Sequence, residues 1–123
     1  MEKYKEKENR LKLIPKAENY CTYIINLIIK LPRTEKFSIG TEFKSVMYDT
    51  FKNIMFIEKA TAKERIIYLN RIDVELNIQR VLLRIMKKNK WIDIKRFDYV
   101  MNTLIRQIGA ILGGLIKYYA KNN

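Results

Sequence analysis

Arg80, Arg84, Lys87 and Lys88 follow one another at steps of four, three and one, and Lys90, Lys95 and Arg96 continue the run. On a helix those steps bring the first four to one side. Guanidinium and ammonium groups gathered in this way suit one chemistry above others, which is contact with the phosphates of a nucleic acid backbone. Affinity then comes largely from the release of condensed counterions. Arg80, Arg84, Lys87, Lys88, Lys90, Lys95 and Arg96 are therefore the candidate nucleic-acid-binding residues. From Arg80 to Lys121 there are ten basic residues and two acids, Asp93 and Asp98. The competing reading is a solvated helix end whose cations complement the macrodipole. No aromatic ribonucleoprotein motif, zinc-finger spacing or basic zipper is present, so base-specific readout has no support.

Other chemistries find little material. The chain has no histidine and one cysteine. That removes most zinc sites, every Ser-His or Cys-His pair and any intramolecular disulfide. Asp73 and Glu75 could do acid–base or metal work, but a ferritin-like site also needs histidines on facing helices. Pairing with Arg71, Arg80 or a neighbouring subunit is the simpler expectation. Cys21 sits among apolar residues and reads as a small hydrophobe. There is no phosphate-binding glycine loop or dinucleotide fingerprint. The expectation is a protein that is not an enzyme and uses no cofactor or metal.

These residues must be held by a fold, and 123 residues suffice for one domain. The composition is 48% hydrophobic and 31% charged, with a net charge of +12. Such a charge costs stability through self-repulsion, and a polyanion would offset it. No apolar run is expected to approach the roughly 20 residues that span a bilayer. The charged N-terminus does not read as a secretory signal, so the expected location is cytoplasmic, without a membrane partner.

Helical periodicity runs through the chain. Residues 1–14 read as a charged tail or a solvated helical start, and 15–123 as a bundle. Pro15 suits a first helical turn. Ala17, Tyr20, Ile24, Leu27 and Leu31 form the face of a first helix that Pro32 ends. Thr34 could cap a second helix over about 35–60, with Phe43, Met47, Thr50, Ile54 and Ile57 inward. Thr61 and Glu64 have capping-box spacing for a third, over about 62–88. Its face is Ile66, Leu69, Ile72, Leu76, Leu83 and Met86, interrupted by Gln79. Asp93 caps a fourth, in which Phe97, Met101, Leu104, Ile108, Ile111, Leu115 and Tyr118 step as a heptad seam. No period-two alternation marks a strand. Short connections between four amphipathic helices give an all-α, antiparallel up-down-up-down bundle.

Gly109, Gly113 and Gly114 cost a helix about 1 kcal/mol each against alanine. They are candidate helix-packing positions, where a neighbouring helix or large side chain comes close. The alternative is a helix that ends near Leu112 at a glycine cap.

The run from Gln107 through Gly109, Gly113 and Gly114 to Leu115 resembles the C-terminal Glu-Ile-Gly-x-x-Leu-Gly-Gly-Trp signature of the accessory variability determinant (Avd) proteins of diversity-generating retroelements. It departs in having Gln107 for the glutamate and Leu115 for the tryptophan. Leu76 through Arg80 and Leu83 to Arg84 resembles that family's Leu-x-x-Leu-Arg-x-Leu-Leu-Arg pattern, followed by Ile85 and Met86 in place of Leu-Ala. Leu31-Pro32-Arg33-Thr34-Glu35-Lys36-Phe37 with Gly40 resembles a turn shared with the wider family of four-helix proteins encoded in rRNA intervening sequences. The resemblance implies a barrel-like homopentamer. It also implies a partner reverse transcriptase and binding of template RNA or RNA–DNA in support of mutagenic retrohoming. The second reading is a structural or rRNA-associated protein of the intervening-sequence family, with no polymerase partner. Surplus apolar surface on the first two helices also suggests an interface between subunits.

Overall fold

The computed structural model describes residues 2–122. It is all-α, and four long helices form an antiparallel bundle. Helix α1 spans Glu2–Ile29, a short α2 spans Arg33–Lys36, α3 spans Ile39–Lys59 and α4 spans Ala62–Lys88. The last, α5, covers Ile94–Lys121. In cross-section α1 lies beside α3 and α5, α4 lies beside the same two, and α1 and α4 occupy opposite corners.

The inward faces are those the spacing predicts. Ala17, Tyr20, Ile24 and Leu27 of α1, Phe43, Met47, Ile54 and Ile57 of α3, and Leu69, Ile72, Leu76, Leu83 and Met86 of α4 are buried in one core. Gln79 interrupts the α4 stripe without exposing it. Its amide accepts from the Tyr20 hydroxyl at 2.7 Å and donates to Thr50 Oγ1 at 2.9 Å. A buried amide thus has partners on two other helices, as burial requires.

The boundaries differ in four places. Residues 2–14 belong to α1, which runs through Pro15, and Glu6, Arg10 and Leu13 are buried rather than solvated. Arg10 Nε donates to Glu6 at 2.8 Å and its Nη1 to Glu58 of α3 at 2.8 Å. Tyr119 of α5 donates its hydroxyl to Glu6, and Arg65 of α4 donates to Tyr119 at 3.2 Å. The first turns of α1 are therefore tied to the other three long helices. Burial works against the Arg10 charge, but the bonds to Glu6 and Glu58 outweigh it and hold its pKa above the usual value. Burial, together with Glu6, pushes the Tyr119 phenol up to about 12.

The second difference is the start of the second helix. Pro32 opens only the four-residue α2, Thr34 lies inside that turn and caps nothing, and α3 starts at Ile39. Gly40 is the reason the turn can fold back on α1. A Cβ there would lie 3.0 Å from Ile28 Cγ2 and 3.2 Å from the Glu35 carbonyl oxygen.

Third, α5 is π-helical over Val100–Ile105. Phe97, Leu104, Ile108 and Leu115 of the expected seam are buried, joined by Val100, Ile105, Leu112 and Tyr119, while Met101, Ile111 and Tyr118 are only partly buried. Fourth, α5 is by length and composition a helix that could cross a membrane, contrary to the sequence expectation, with Arg106 as the one charge between Asp98 and Lys117. Its seam from Phe97 to Tyr119 faces the bundle core. Thr61 and Glu64 form the expected capping box, and Asp93 accepts from the Arg96 amide at 2.8 Å.

Candidate nucleic-acid interface

The seven predicted cations lie where the end of α4 turns into α5. Arg84, Lys87, Lys88, Lys90, Lys95 and Arg96 are exposed, and Arg80 is half-buried. Arg80 lies along the α4–α5 groove, with Nη1 donating to Asn77 at 2.6 Å and Nη2 3.1 Å from where a Cβ on Gly109 would sit. Lys87 Nζ stands 4.6 Å from the centre of the Phe97 ring, a cation–π contact across the same groove. Arg96 is bound to Asp93 at 2.8 Å. Among the described residues, no carboxylate pairs with Arg80, Arg84, Lys87, Lys88, Lys90 or Lys95.

Among the described residues, the other basic cluster is neutralised in part, at two of its six cations. Arg10 is consumed by Glu6 and Glu58, Lys12 pairs with Glu8 at 3.4 Å, and Lys16 donates to Gln107 at 3.4 Å. Glutamates interleave the N-terminal cations and are nearly absent from the α4–α5 end. Sequence reasoning left Arg106 out of the candidate set. It is exposed three residues before Gly109, the residue Arg80 covers, and that helical spacing was its only signal.

Two features of this end work against stability. Lys95 and Arg96 stand in the first turn of α5, at the positive end of its dipole, where cations are unfavourable. Complementing the macrodipole therefore explains Lys87 and Lys88 at the end of α4 but not these two. Lys90 is the described non-glycine residue with positive φ, at 62°. The Trp91 amide bonds the Met86 carbonyl and the Lys90 amide that of Lys87, which is a Schellman turn with lysine at the position glycine usually holds. We expect Lys90→Gly to stabilise the fold by about 1 kcal/mol while weakening nucleic acid binding. Urea unfolding and RNA titration of the same variant check both halves.

Of the remaining candidates, Gly109, Glu75 and Cys21 have structural surroundings within the protomer. The helix runs unbroken through Gly113 and Gly114 to Lys121, but beyond the adjoining residues and the helix's own backbone no described atom lies within 4 Å of a Cβ placed on either. Arg80 is the large side chain at Gly109; nothing within the protomer accounts for the other two. Glu75 accepts from Asn53 at 3.0 Å rather than pairing with Arg71 or Arg80, and Asp73 is exposed. Cys21 is half-buried, and burial with the nearby Glu18 charge raises its thiol to about 11. No group of three metal-ligating side chains occurs among the described residues.

Compared with known protein families, residues 11–119 match the family described as bAvd-like. No curated protein and no solved structure matches the chain.

Proposed function

The chain belongs to the bAvd-like family, and from that premise we propose that it is a non-enzymatic accessory protein of a diversity-generating retroelement. It binds template RNA, or an RNA–DNA duplex, through phosphates and docks on the element's reverse transcriptase. In that complex it supports mutagenic cDNA synthesis and retrohoming. The working form is a homo-oligomer, a pentamer by the family resemblance. Membership carries the accessory role of the Avd type; nucleic acid, polymerase and subunit number are the finer reading.

The observation that supports it most is the cluster of seven cations around the α4–α5 turn, six of which pair with no carboxylate among the described residues. A stability-driven fold would place more acids among them than Asp93, which holds Arg96, and Asp98. A phosphate chain supplies those further charges instead, and at the α5 N-terminus Lys95 and Arg96 can turn to it without giving up buried bonds. Base identity is not read, so affinity should vary little with sequence.

The test is retention. Immobilised protein is incubated with template RNA and purified reverse transcriptase at moderate salt. Both are expected in the eluate, and the Arg84→Glu/Lys88→Glu variant should lose the RNA it holds directly. Recovery of neither from the wild-type resin contradicts the proposal.

A further inference from the structure

One apolar stripe of α4 points away from the bundle. Ile67, Arg71, Val74, Ile78, Val81 and Ile85 step by four, three, four, three and four, and Ile67 and Val74 are 54% and 58% exposed. This is a second heptad seam, on the side of α4 remote from the core seam. Open hollows of about 510 and 320 Å³ lie along it, around Arg71 and around Ile78. A surface helix of a monomer has no use for such a seam.

Helix α1 carries a matching one. Leu11, Ile14, Glu18, Cys21, Ile25 and Ile29 step by three, four, three, four and four, with Leu11 and Ile29 50% and 56% exposed. Ile14, Cys21 and Ile25 are only partly covered by the core. At a rise of 1.5 Å per residue each seam is about 27 Å long. Each has a single charged position, and the charges are opposite. Arg71 lies over the Tyr68 ring at 5.5 Å, and exposed Glu18 pairs with no cation among the described residues. The two helices sit at opposite corners of the bundle, so one copy cannot satisfy its own seams.

From this complementarity we infer that the α4 seam of one copy packs on the α1 seam of the next. Equal length, heptad spacing shared as far as Ile25 and opposite lone charges on one chain fit a second copy of this chain. Unlike seams make the contact head-to-tail, which builds a closed ring or an open filament rather than a two-fold dimer. The interface presupposes the oligomer proposed above and assigns its two faces. It also places the row of Arg84 and Lys88, which flanks the α4 seam, next to every subunit boundary.

Light scattering on nuclease-treated protein in high salt tests it with three samples. The wild type is expected as an oligomer, and Val74→Glu/Ile78→Glu and Leu11→Glu/Ile29→Glu each as a 14.8 kDa monomer of wild-type helicity. Mixed one to one, the two variants are expected to form a heterodimer and nothing larger, since each keeps one intact seam. A variant that keeps the wild-type mass, or two monomers that fail to pair on mixing, overturns the interface and leaves the oligomer standing. A monomeric wild type overturns both. Should either variant lose its helical signal, Arg71→Glu with Glu18→Arg replaces it. Each of these changes alone should weaken assembly and the pair should restore it; no rescue overturns the pairing.

Discussion

Arg84→Glu combined with Lys88→Glu is expected to weaken binding of single-stranded RNA roughly a hundredfold at fixed salt. Each charge-assisted bond to phosphate contributes about 1.5 kcal/mol, close to a factor of ten. Both side chains are exposed and pair with no carboxylate among the described residues, so the fold depends on their sign only through the macrodipole at the end of α4. Stability should stay within about 1 kcal/mol of wild type, the size of a surface change together with a lost helix-end charge. The loss should be uniform across RNA sequences, because phosphates carry no sequence information. The slope of log affinity against log salt should fall by about 1.4, two contacts at roughly 0.7 each. Filter binding across a salt series reads all three quantities. A drop confined to one RNA sequence would mean that these residues read bases instead.

Arg10→Met is expected to destabilise the fold by about 3 kcal/mol, the usual result of stranding one member of a buried ion pair. The guanidinium bonds Glu6, whose side chain is 6% exposed, and bridges to Glu58 on α3. Methionine fills much of the same volume, so the loss is electrostatic rather than a cavity. Glu58 is 31% exposed and can turn to water, whereas Glu6 cannot. Thermal unfolding should register a fall of roughly 10 °C for a chain of this size. Adding Glu6→Leu to Arg10→Met should recover most of it, because an apolar pair of similar volume has no stranded charge. Equal destabilisation by the single and double variants would show that Glu6 is solvated in the folded state.

What could be read from the residues divides along sequence distance. The faces of α3 and α4 were legible because side chains three and four apart share a helix side whatever the helix packs against. The capping box at Thr61 and the cap at Asp93 were legible for the same reason, since every bond lies within three residues. The N-terminal turns were not, because Glu6 and Arg10 find their partners 113 and 48 residues away. Gln79 looked like a flaw in a stripe until Tyr20 and Thr50 closed around it. Around the π-helical turn Leu104, Ile108 and Leu115 keep the expected seam, but Val100, Leu112 and Tyr119 take the buried places of Met101, Ile111 and Tyr118, a change that a strict heptad count cannot see.

The basic end was legible as a density of charge, but not as a free one. Only the structure separates Arg10, Lys12 and Arg96, which hold carboxylates, from Arg84, Lys87 and Lys88, which pair with none among the described residues. Lys90 in a left-handed turn and Lys95 in a first helical turn both run against local preference. Positions of that kind mark where a sequence serves something other than stability.

The most direct measurement is the salt dependence of wild-type affinity for single-stranded RNA, read as log affinity against log salt. With about five phosphates contacted, the slope should be near −3.5. A slope near zero would contradict a phosphate-gripping basic face.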